Sequence, residues 1–257
     1  NLNSIQDFIE AGMSYCSNKL REITPIIPYS FMNMKQMLYN FTKTEESLFL
    51  RNKPKVHHLK NIPNYALSDA DIDFEELIQI AQTSERKNIA RLGILRSSFQ
   101  LKDYQKIIGI AHDIVSDSKS GSEVLNEARY YRAKAYIATK QLDIALEDLK
   151  WLSTDTRTAI GAESKYLTAQ VYFTEWKLDE SEKEILDFAK KNTPFQYWLA
   201  RSFVLLSDIY QSKQQDFQAK QYLLSLQRNY KVDDDIQEMI TTRLDAISRR
   251  EKSKVIN

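Results

Sequence analysis

Three histidines, one cysteine and a few carboxylate clusters are the places where this chain could carry chemistry. His57 and His58 invite a metal reading, but adjacent residues diverge on a helix and alternate sides on a strand. No Cys, and no Asp or Glu closer than Asp69, stands beside them as a further ligand, so no metal site is predicted. His112 falls near the apolar face of a helical pattern and reads as a packed residue rather than a base. Cys16 is alone and cannot close an intrachain disulfide; it fits a reducing or an oxidising compartment equally. Glu45-Glu46, Glu75-Glu76 and Asp233 to Asp235 are explained by charge on a helix surface or in a first turn. Asn40-Phe41-Thr42 matches a glycosylation acceptor, a pattern that chance also supplies. There is no Gly-rich phosphate loop and no His-Glu-x-x-His. The sequence therefore predicts no catalytic residue, no cofactor and no enzyme.

What remains is recognition by side chains set out on a regular framework, and the framework is legible between Glu127 and Tyr230. Three segments share a small residue, an aromatic three positions on, a small residue nine further, and then two apolar positions. The instances are Ala133, Tyr136, Ala145, Leu149 and Leu152; Ala169, Tyr172, Ser181, Ile185 and Phe188; and Ser207, Tyr210, Ala219, Leu223 and Leu226. The period is 172 − 136 = 36, then 210 − 172 = 38. Two short helices per repeat of that length place the chain in the tetratricopeptide class of helical repeats. The small sites let helix backbones approach, and the aromatic, one turn beyond on the same face, wedges between the pair.

Composition agrees. Five Gly and five Pro in 257 residues are few against averages of about 7% and 5%, and strong helix formers abound. The fold class read from this is all-α, a tetratricopeptide-type solenoid of antiparallel helix pairs with a right-handed superhelical drift. Lys plus Arg total 36 and Asp plus Glu 35, so no global charge calls for nucleic acid. No apolar run approaches the ~18 residues of a membrane span. The chain opens Asn-Leu-Asn without Met or a signal-peptide pattern, which predicts a fragment or a processed form.

Residues 1–66 are expected to be an N-terminal helical segment, with amphipathic patterns over 4–22 and from about Ser30, the latter carrying a Met cluster that reads as core. An irregular basic loop follows at 51–66 with Pro54 and Pro63. Repeats are expected over 67–232: a half repeat at 67–82, then 88–119, 122–157, 160–193 and 195–231. Ala70, Ile107, Ala145, Ser181 and Ala219 mark one site at spacings of 37, 38, 36 and 38. The 88–119 copy is the most divergent, with Leu95 at the first small site and Ser98 at the aromatic one. Ser120 to Glu123 has capping-box spacing, and Thr193-Pro194 reads as a cap followed by Pro at the first helical position. Residues 233–257 are expected to form a capping helix, apolar along Ile236, Ile240, Leu244 and Ile247, with Arg243, Arg249, Arg250 and Lys252 facing water.

The run GAESKYLTAQVYFTEWKLDESEKEILDFAKKNTPFQYWLARSFVLLSDIY, followed by FQAKQYLLSLQRNY, resembles the carboxy-terminal part of the large many-repeat tetratricopeptide proteins of Bacteroidetes. The resemblance covers roughly residues 70–250. It implies protein–protein assembly and a cell-envelope location, with no cofactor or catalytic residue to carry over. It also implies that the first helix of each repeat lines a concave groove. The lining is then Leu92, Arg96 and Phe99; Tyr130, Lys134 and Ile137; Tyr166, Gln170 and Phe173; and Val204, Asp208 and Gln211. Tetratricopeptide domains that grip a chaperone's terminal carboxylate use Lys and Asn at such places; Tyr and Leu stand here instead. The candidate protein-binding residues are Arg96, Phe99, Tyr130, Lys134, Tyr166, Gln170, Phe173 and Asp208, suited to a peptide with apolar anchors and some acidic character. The competing reading packs several of these tyrosines against neighbouring helices. Two functions follow: a non-catalytic scaffold holding a protein or peptide segment, or a structural spacer in a longer solenoid with no separate ligand.

Overall fold

The computed structural model describes residues 74–256. The expectations for residues 1–66, including the 51–66 loop and the His57-His58 pair, lie outside the described residues, as does Ala70. Among the described residues the chain is all helical. The helices are α1 over 74–80, α2 Ser84–Leu101, α3 Tyr104–Ser116, α4 Ser122–Ala138, α5 Leu142–Leu152, α6 Ala159–Thr174, α7 Leu178–Ala189, α8 Gln196–Ser212, α9 Asp216–Asn229 and α10 Asp235–Ile256.

One local rule makes the hairpins. A residue in a left-handed conformation follows each of α2, α4, α6 and α8: Lys102 (φ 61), Lys140 (φ 62), Trp176 (φ 61) and Gln214 (φ 60). Their spacings, 140 − 102 = 38, 176 − 140 = 36 and 214 − 176 = 38, repeat the sequence period. In three hairpins the next amide closes a Schellman-type bond five residues back: Asp103 donates to the Ser98 carbonyl (2.9 Å), Lys177 to Tyr172 (2.9 Å) and Gln215 to Tyr210 (2.8 Å). Those acceptors are the residues at the aromatic site, so the wedge position is also where the turn is anchored.

The chain divides into two compact units, residues 1–139 and 140–257. In the described part of the first, α2, α3 and α4 pack on one another. Ile107, Ala111 and Ile114 of α3 meet Leu92 and Leu95 of α2 and Val124, Ala128 and Tyr131 of α4. In the second, α6 packs on α5, α7 and α8, and α8 on α7, α9 and α10. The small sites are where backbones close up: Ala133, Ala145, Ala169, Ser181, Ser207 and Ala219 are all buried. Ser181 does more than fit, since its hydroxyl donates to the Ala169 carbonyl (2.7 Å) and joins the two small sites of one hairpin.

Three local expectations are corrected. The Ser120 hydroxyl donates to the Ile114 carbonyl (2.8 Å), and α4 is preceded by Gly121 without a side-chain cap. Thr193 does not cap α8, which begins at Gln196; its hydroxyl bridges to the Thr156 carbonyl (2.8 Å) and ties two interhelical loops together. Arg243 does not simply face water, because Asp208 of α8 takes it.

Candidate partner-binding wall

In the first unit, Arg96 and Phe99 stand on α2, and Tyr130 and Lys134 on α4. Arg96 is buried, its Nε and Nη2 donating to the two Glu127 carboxylate oxygens at 2.7 and 2.8 Å. Burial lowers its pKa, but the Glu127 charge and hydrogen bonds outweigh that and hold it above its ordinary value. Its charge is therefore spent inside the fold. Phe99, Tyr130 and Lys134 are partly exposed and come together. The Lys134 ammonium lies 5.2 Å from the Phe99 ring centroid and 4.8 Å from that of Tyr130, and donates to the Tyr130 hydroxyl (2.9 Å). Phe99 also meets Tyr131 at 5.2 Å. The result is a cation between two aromatic faces, a group able to meet apolar and anionic atoms side by side.

In the second unit, Tyr166 and Asp208 are engaged within the fold and Gln170 and Phe173 are partly exposed. Tyr166 of α6 is buried, its ring 5.6 Å from and stacked on Trp198 of α8. Phe173 packs against the same α6–α8 core. Asp208 accepts two bonds of 2.7 Å from Arg243. Leu92 and Val204, also expected to line the groove, are core residues. The wedge tyrosine of α8 keeps its place: Tyr210 stacks on Tyr222 of α9 (5.4 Å) and donates to Glu182 of α7 (2.7 Å).

Sequence reasoning missed Arg201, Tyr197 and Asp235. Arg201 lies between the rings of Tyr166 and Tyr197, its guanidinium carbon 5.3 and 5.7 Å from their centroids. Nη1 donates to the Tyr197 hydroxyl (2.8 Å) and to Asp235 (3.3 Å). The readable signal was the four-residue step from Tyr197 to Arg201, which puts both on one helical face. Among the described residues no group of three or more His, Cys, Asp and Glu side chains could hold a metal, and no helix is long and apolar enough to cross a membrane.

A crystal structure of a variant form of a Podospora anserina protein described as a kinesin light chain, built of nearly identical TPR-like repeats, matches with a TM-score of 0.54. The match covers 67% of this chain and 90% of that chain at 16% sequence identity. The fold is of the tetratricopeptide type. No protein-family model and no curated protein matches the chain. At that identity the likeness is one of backbone architecture.

Proposed function

We propose that this chain is a non-catalytic scaffold that holds a segment of another protein against the wall formed by the first helices of its repeats. The observation that carries the reading is the Phe99–Tyr130–Lys134 cluster. The three residues are partly exposed on α2 and α4, with the Lys134 ammonium set against both rings. Tetratricopeptide-type repeats commonly serve protein association, and Gln170 and Phe173 offer further partly exposed wall in the second unit. Tyr166 supports that wall from within, and Arg96 and Asp208 act as fixtures of the packing rather than as contacts. The resemblance to the large Bacteroidetes repeat proteins supports assembly at the cell envelope as the setting.

The test is a comparison between the intact chain and a Tyr130→Ala/Lys134→Ala variant, each used to capture proteins from a Bacteroidetes envelope extract. Circular dichroism first establishes that the variant is folded. A partner retained by the intact chain and lost from the folded variant is expected, because aromatic anchors in an interface are each worth ~2 kcal/mol or more. Equal retention would overturn the reading.

A further inference from the structure

Arg201 is a guanidinium fixed in place but poorly satisfied. Nη2 reaches the Tyr166 hydroxyl only at 3.5 Å, and the buried Nε has no hydrogen-bond partner. Among the described residues its carboxylate contact is the single 3.3 Å bond to Asp235. Arg96 and Arg243 differ from it in their carboxylates: each holds both oxygens of one carboxylate at 2.7 to 2.8 Å, while Arg96 Nη1, like Arg201 Nε, is buried without a partner. A guanidinium offers five donors in a planar fork, and carboxylates bind it best through two parallel bonds. The Arg201 side chain stays 25% exposed.

The arrangement also recurs. Phe99, Tyr130 and Lys134 in the first unit and Tyr166, Tyr197 and Arg201 in the second have the same steps, 130 − 99 = 197 − 166 = 31 and 134 − 99 = 201 − 166 = 35. In each case a cation stands one turn after an aromatic of its own helix and against an aromatic of the preceding first helix. The two sets stand two turns apart in the repeat register, since Lys134 aligns with Asp208, seven residues after Arg201.

We propose that Arg201, with the Tyr197 hydroxyl beside it, is a seat for a side-chain carboxylate of an acidic protein segment, and that Asp235 is the chain's own stand-in for that carboxylate, displaced when the segment binds. Asp235 also accepts from the Tyr197 hydroxyl at 3.2 Å, so it touches both donors of the seat. Both contacts are long for bonds to a charged group, which favour about 2.7–2.9 Å. Its side chain is 45% exposed. On release it remains in the first turn of α10, where the helix dipole still favours a negative charge. Asp234 is not the exchanging group, since it holds the Tyr230 hydroxyl (2.6 Å) and the Ile236 amide (3.0 Å). Tyr166 is a positioning residue, buried behind the guanidinium. The proposal rests on the scaffold reading and adds the partner's chemistry to it.

The test uses the full chain and a dye-labelled, doubly capped hexaglutamate peptide, followed by fluorescence anisotropy at low and physiological salt. Binding is expected to weaken with salt, and a capped hexaglutamine peptide is expected not to bind. Arg201→Lys keeps the charge and loses the fork, so affinity should fall about tenfold. Asp235→Asn removes the competitor and should tighten binding about threefold or more. Unchanged affinity in Arg201→Lys, or no tightening in Asp235→Asn, overturns the seat. Equal binding of a hexaglutamine peptide with a free carboxy terminus overturns the side-chain source. If Lys134→Ala abolishes binding while Arg201→Lys does not, the anion lands in the first unit: the seat fails and the scaffold reading stands. If hexaglutamate binds neither the native chain nor Asp235→Asn, the seat fails, and the scaffold reading still rests on its own Tyr130/Lys134 comparison.

Discussion

Gly161 sits in the first turn of α6, where a Cβ would lie 2.0 Å from the Asp155 carbonyl oxygen and 2.9 Å from that of Leu152. Both obstacles are backbone, so neither can swing aside, and Gly161→Ala must push α6 off the loop that follows α5. Gly109, inside α3, is the counterexample, with nothing within 4 Å of its position for a Cβ. Gly161→Ala is expected to cost ~1–3 kcal/mol or more as overpacking. Gly109→Ala should stabilise by ~0.5–1 kcal/mol through helix propensity. Thermal melts of the two variants give opposite shifts if the α5–α6 approach is as close as described. Side-chain roles were unevenly legible at this scale. The small and aromatic sites could be read because helical periodicity fixes which positions face a neighbour. The partners of Arg96, Asp208 and Arg201 could not, because Glu127, Arg243 and Asp235 lie 31, 35 and 34 residues away and meet them only through packing.

Between elements, the buried Arg96–Glu127 pair joins α2 to α4 in the first unit, with side chains only 6% and 10% exposed. Removing one partner leaves a buried charge, so Glu127→Ala should cost ~3–5 kcal/mol, whereas Arg96→Met with Glu127→Leu should be near neutral or stabilising. Urea unfolding of the single and double variants checks this, and a double variant as weak as the single one would show that the pair itself is a net stabiliser. In the second unit, ion pairs link α6 to α7 and α7 to the end of α8. Lys165 holds Glu184 and Asp187, and Lys213 holds Asp179 and Glu182. The hydrogen bond from Lys165 lowers the Asp187 pKa. Burial raises that of Glu182, but Lys213 and Tyr210 outweigh it and the net shift is also downward. Depressed carboxylates stabilise the fold above their unfolded pKa of about 4 and lose that contribution as the pH falls through their lower folded values. Stability should therefore hold down to about pH 5 and decline below about pH 4. Lys213→Met should shallow the decline by removing the Glu182 share. A urea midpoint that falls equally steeply with pH in that variant would assign the slope elsewhere.

Across the whole chain, helix pairs could be read from the sequence because one 36–38-residue unit recurs and each copy solves the same packing problem. Loop chemistry was less legible, since Thr193 reaches the Thr156 carbonyl 37 residues away and Ser120 turns back to the Ile114 carbonyl instead of capping α4. Repeat folds hold together through nearest neighbours, so a terminal element should protect what it covers and little beyond. α10 is that element in the second unit. Ile236, Ile240 and Ile247 are fully buried against Ala200, Val204, Ala219 and Leu223, and Arg243–Asp208 and Lys220–Glu251 tie the helix to α8 and α9. Ending the chain after Asp233 removes all of these contacts and uncovers the α8–α9 apolar face. Hydrogen exchange should then lose protection most in α8 and α9, less in α7, and least in α5, which packs on α6 and stands furthest from α10 in the order of packing. Ile240→Ala, which leaves the helix in place, should show the same order at smaller amplitude, with a stability loss of ~2–4 kcal/mol. Uniform loss of protection from α5 to α9 in both variants would mean that the second unit opens as one cooperative block, and that a nearest-neighbour description of its stability fails.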